Sequence, residues 1–118
     1  MADFKHFRWE KIDEVVVLHL VDAELFDRLI INEMQDEVLS FLKTYKIPKL
    51  LINFGAVRSL SSETLNALLK ARDWIVGNDG IIKFCDMRDT IRQVFKVTNL
   101  DGTMFEIHDS MHEALDSF

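Results

Sequence analysis

The chain has 118 residues, 48% of them apolar, with four glycines, one proline and a formal net charge of −6. That length supports one domain, spanning residues 1–118, with its own hydrophobic core, and the composition excludes an intrinsically disordered chain. The acidic balance, without any run of Lys or Arg, excludes a basic nucleic-acid-binding surface, and Cys85 is alone, which excludes an intrachain disulfide.

Met1-Ala-Asp-Phe has neither the basic start nor the apolar region of a secretion signal, and no apolar stretch reaches membrane-spanning length. With the lone cysteine, this predicts a cytoplasmic protein. Phe4 to Ile12 alternates loosely, His6, Arg8 and Glu10 to one side and Phe7, Trp9 and Lys11 to the other, as a half-exposed edge strand does. Asp13-Glu14 is a turn and Val15 to Leu20 a buried strand, so the two strands form a hairpin. Val21 to Ile31 has a poor pattern and reads as a loop. Asn32 to Tyr45 is an amphipathic helix capped by Asn32, with Met34, Val38, Phe41, Leu42 and Tyr45 inward. Lys46-Ile47-Pro48 ends it, because proline disfavours helix in the residue before it.

Leu50-Leu51-Ile52-Asn53-Phe54 is a continuous apolar run, the pattern of a strand covered on both faces. A helix follows from Leu60 to Val76, with Leu65, Leu68 and Ile75 inward, and Gly77 to Gly80 stops it. Ile81 to Cys85 is a third buried strand, Met87 to Val97 a short helix and Met104 to Ile107 a last strand. A terminal helix is capped by Asp109 or Ser110. The order predicts an α/β domain with a mixed sheet of four or five strands. Leu50–Phe54 is central in it, and the helices are packed mainly on one face.

Chemistry-bearing residues are sparse. His108 and His112 are four apart, but a helix beginning at Asp109 or Ser110 puts them on different elements, so no metal is expected. Cys85 ends a buried strand and reads as an inert core thiol. No phosphate-binding glycine loop, nucleophile elbow or zinc motif occurs, so neither a cofactor nor an enzyme activity is predicted. Ser61-Ser62-Glu63 stands apart. With Ser61 as the N-cap, Leu60 and Leu65 would form a hydrophobic staple, and Glu63 would meet the positive helix end. Ser62, at the first helical position, would carry an uncommitted, outward hydroxyl.

At these residues the chain resembles the STAS domain, and within it the bacterial anti-sigma factor antagonists. That family has a central strand, then an Asp-Ser-Ser-Gly-Leu-Gly-like motif opening a helix, whose serine after the aspartate is phosphorylated by a partner kinase. The matching stretch is Ser61 to Leu69. Ser61 stands at the aspartate and Ser62 at the phosphorylated serine. Glu63 replaces the second serine, and Thr64 and Asn66 replace the glycines. Phe26-Asp27 fits the family's Leu-Asp in the loop before the first helix. The resemblance covers nearly the whole chain, through the Thr98-Asn99-Leu100 turn to Glu113-Ala114-Leu115.

The resemblance implies a phosphorylation-switched binding module. Ser62 is its phosphoacceptor, with Ser61 the alternative, and Ser61, Ser62, Glu63 and Asp27 contact the partner. That partner is an anti-sigma factor, itself a serine kinase of the histidine-kinase-like ATPase type. Direct nucleic-acid binding and membrane insertion are not implied, and the protein is expected to be a monomer or weak dimer. Two other readings share the fold: a constitutive adaptor in a signalling or lipid-transport assembly, and a small-ligand or nucleotide-binding domain.

Overall fold

The computed structural model describes residues 4–118. Met1 to Asp3, most of the stretch read for a targeting signal, lie outside them. A five-stranded mixed sheet has the order β1-β2-β4-β6-β7, built from Phe7–Ile12, Val15–Leu20, Lys49–Asn53, Ile81–Cys85 and Glu106–His108. The first pair is the predicted antiparallel hairpin, and the other pairs are parallel. β4 is therefore central, as its continuous apolar run predicts.

The alternation of side chains divides the core in two. Leu18, Leu50, Ile52 and Phe84 point to a large cluster beneath α1 (Arg28–Tyr45), α2 (Ser62–Gly77) and α3 (Asp89–Val97). Val15, Val17, Leu51 and Cys85 point to the other face, where Ala114 of α4 (Met111–Asp116) closes a smaller cluster. Three helices thus cover one face and one short helix the other. Each large apolar side chain removed from water contributes roughly 1.5–3 kcal/mol before entropy is counted. The end of α2 is tight. A Cβ at Gly80 would lie 3.0 Å from the carbonyl oxygens of Ile75 and Pro48, so a larger residue there would crowd the backbone where β6 starts.

Several boundaries differ from expectation. α1 starts at Arg28, four residues before Asn32, because the Asp27 carboxylate caps it, accepting from Leu29 N at 2.8 Å and Ile30 N at 3.4 Å. β1 begins at Phe7 rather than Phe4, α3 at Asp89 rather than Met87, and β7 runs from Glu106 to His108 rather than from Met104 to Ile107. Ser110 caps α4, its hydroxyl accepting from Glu113 N at 3.1 Å. Two short strands were not foreseen. β3 (Glu24–Leu25) and β5 (Ser59–Leu60) pair in parallel outside the main sheet. Among the described residues no helix is long and apolar enough to cross a membrane.

Candidate functional site

The β3–β5 pair brings together two stretches more than thirty residues apart, the approach to α1 and the approach to α2. Glu24 lies opposite Ser59 and Leu25 opposite Leu60. Beyond the ladder the Leu25 carbonyl accepts twice, from Ser61 N at 3.0 Å and from Thr64 Oγ1 at 2.8 Å. Thr64 is fully buried, so its hydroxyl is an anchor that seats the first turn of α2 against β3. The starts of α1 and α2 consequently share one rim of the molecule.

A side-chain bridge crosses that rim. Arg28 donates from Nε to Glu63 Oε2 at 3.3 Å and from Nη2 to Glu63 Oε1 at 3.1 Å. This fork matches a planar guanidinium to a carboxylate, and the hydrogen bonds that Arg28 donates to Glu63 raise its already high pKa. Phe26 and Leu29, close to Arg28 in sequence, are 58% and 66% exposed.

Ser61, Ser62, Glu63 and Asp27 all lie on this rim. Their individual roles divide differently. Ser62 is the first residue of α2 and is exposed, and no side chain among the described residues is hydrogen-bonded to its hydroxyl. Ser61 is the N-cap by backbone geometry, but its hydroxyl caps nothing. The Thr64 N–H that it would serve goes instead to the Ser61 carbonyl at 3.1 Å, and Ser61 Oγ is buried without a partner. The expected capping hydrogen bond is therefore absent. Replacing Ser61 with alanine should leave stability unchanged or raise it by up to about 1 kcal/mol, since a buried unpaired hydroxyl is a cost. Chemical denaturation of the variant checks this. A loss above about 1 kcal/mol, the usual worth of an N-cap, would mean that the hydroxyl caps the helix in solution. Asp27 has a structural duty as the cap of α1. Glu63 is bound by Arg28, a partner that sequence reading did not identify.

The chemistry open to this rim is that of an acceptor and a contact surface. A serine that carries no base of its own cannot act as a nucleophile unaided. A kinase brings the nucleotide and the base, and requires only an accessible hydroxyl. The other candidates are separate from it. Cys85 is fully buried, and burial together with the neighbouring Asp86 pushes its thiol pKa far up, which leaves no reactive thiolate. His108 lies on β7 beside Glu106 and His112 on α4 beside Asp116. Among the described residues, no group of three or more His, Cys, Asp or Glu is placed to hold a metal ion.

Comparison with known proteins agrees with this architecture. The STAS domain family model matches residues 6–114. A Thermotoga maritima protein proposed to be an anti-sigma factor antagonist superposes with a TM-score of 0.82 at 20% identity, covering 94% of this chain and 92% of that one. An anti-sigma-factor antagonist (STAS) domain protein from Planctomyces limnophilus gives 0.79 at 19% identity, covering 94% and 95%. The Bacillus cell fate determinant SpoIIAA in its phosphorylated form gives 0.69 at 20% identity, covering 94% and 97%. At these identities the likeness is one of fold. No curated protein sequence matches this chain significantly.

Proposed function

The chain belongs to the STAS domain family, and we propose that within it this protein is an anti-sigma factor antagonist, a cytoplasmic bacterial binding module that regulates transcription through a protein partner. The partner is an anti-sigma factor that is also a serine kinase of the histidine-kinase-like ATPase type. Ser62 is the acceptor of its phosphate. The observation that carries this reading is the position of the Ser62 hydroxyl. It is exposed at the first turn of α2, on the same rim as exposed Phe26 and Leu29. Apolar side chains give a partner something to bury, and the serine beside them gives it something to modify.

Phosphate adds about −1.5 to −2 charges at neutral pH. The start of α2 tolerates that charge, because the helix dipole places its positive end there. The modification therefore acts on the partner and leaves the fold intact. Glu63, next to Ser62, is paired with Arg28, so the repulsion comes from the phosphate itself. The test is intact mass after incubation with ATP and each histidine-kinase-like ATPase of the source organism. One phosphate on the native chain and none on Ser62→Ala is the expected result. Phosphate on Ser61 would move the acceptor by one residue. Phosphate on neither serine would replace this reading with the constitutive adaptor.

A further inference from the structure

His6, just ahead of β1, is only 6% exposed, and it lies between two carboxylates. Its Nδ1 is 2.7 Å from Asp22 Oδ2 and its Nε2 is 3.0 Å from Glu33 Oε2. A third carboxylate, Glu37, is one turn further along α1 and accepts the backbone N–H groups of Lys5 and His6, both at 2.8 Å. A neutral imidazole has one N–H and one lone pair. It can donate to a single carboxylate, and its lone pair would then face the other. Both contacts together need both N–H groups, so the geometry makes His6 an imidazolium. Burial alone would lower its pKa. The hydrogen bonds with Glu33 and Asp22, and the charges of Asp22 and Glu37, outweigh burial and raise it above the ordinary histidine value. Asp22 comes from the connection between β2 and β3, and Glu33 and Glu37 come from α1. No Lys or Arg side chain among the described residues is bonded to any of the three.

Asp22 opens the segment that leads through β3 to the Asp27 cap. This segment frames the approach to α2. The Ala23 carbonyl accepts from Arg58 N at 2.7 Å and Ser59 N at 3.2 Å, and the Leu25 carbonyl holds Ser61 and Thr64 as described above. We infer that His6 is a positioning residue for the partner surface: bonded to Asp22 and Glu33 at once, it pins residues 21–27 to α1 and so sets where Ser61 and Ser62 are presented. The inference rests on the reading of that rim as the partner surface. When the proton leaves, three carboxylates surround an imidazole with one N–H, and the segment is released. Because the closed arrangement raises the pKa of His6, the clasp is complete below the ordinary histidine value. It is lost as pH rises through the higher folded one.

Nuclear magnetic resonance on the whole chain tests this without a partner. The His6 ring should titrate above the ordinary histidine range. Amide protection at Arg58 and Ser61, corrected for base-catalysed exchange, should fall across that same titration. The fall should be about tenfold for each pH unit by which the folded midpoint exceeds the unfolded one. Protection at Ala114, in α4 on the other face of the sheet, where local opening leaves the clasp intact, should stay level. Glu33→Gln removes one carboxylate from a side chain that is 40% exposed, so the fold should persist. His6 should then titrate lower, and the loss of protection should move with it. Flat protection at Arg58 and Ser61 through the His6 titration overturns the inference. So does a loss that ignores Glu33→Gln. Neither outcome bears on whether Ser62 receives phosphate, so the clasp and the proposed switch fail separately.

Discussion

Phe84→Ala should lower the free energy of unfolding by about 3–5 kcal/mol. Phe84 is fully buried on β6 and faces the large core cluster. It stacks on Phe105 with ring centroids 4.4 Å apart, tilts against Phe54 at 4.9 Å and meets Phe95 edge-on at 5.9 Å. Those rings come from β6, the segment before β7, the residue after β4 and α3. One side chain therefore joins four parts of the chain, which cannot collapse into the gap together. The denaturant midpoint should fall with little change in the slope, because the surface exposed on unfolding is almost the same. A loss below about 1 kcal/mol would mean that the site relaxes around alanine, and that the four rings do not form a rigid core.

The centre of this fold is legible in the sequence because its strands are buried on both faces. Residues 15–18, 50–52 and 82–85 are runs without polar interruption except Lys83, and such runs occur where a parallel sheet is covered on each side. The start of α1 is not legible in the same way. Arg28 and Leu29 form its first turn in solvent, so the apolar period appears only when the helix reaches the core at Ile31. Asp27 matches the family pattern as a partner contact, whereas its carboxylate is engaged in capping α1. β3 and β5 have two residues each, too short for any period to show. The Arg28–Glu63 bridge joins positions 35 apart, and only the pairing of β3 with β5 makes it possible. At Ser61 the local capping rule located the helix start correctly. It missed the hydroxyl because the backbone turn had already satisfied the N–H in question.

Ser62→Asp should weaken binding of the proposed kinase partner by at least about tenfold, equivalent to about 1.4 kcal/mol, while the melting temperature stays close to that of the native chain. Two consequences of position set these expectations apart. Within the domain, a carboxylate at the first turn of a helix meets the positive end of the dipole and lies in solvent, so folding gains or loses little. Across an interface, the same carboxylate adds an unpaired charge to a surface that a partner has to bury, near the exposed chain around Phe26 and Leu29 that leads into α1. A partner that buries those side chains must also desolvate the added charge, and one that presents acidic groups is repelled. Ser62→Ala keeps the surface neutral at that point, so it should bind like the native chain and fail to accept phosphate. Titration calorimetry of the two variants against the same kinase separates charge from loss of the hydroxyl. Equal binding by Ser62→Asp and Ser62→Ala would show that charge at this position does not govern the complex, and the repulsion mechanism would fall even if Ser62 is phosphorylated.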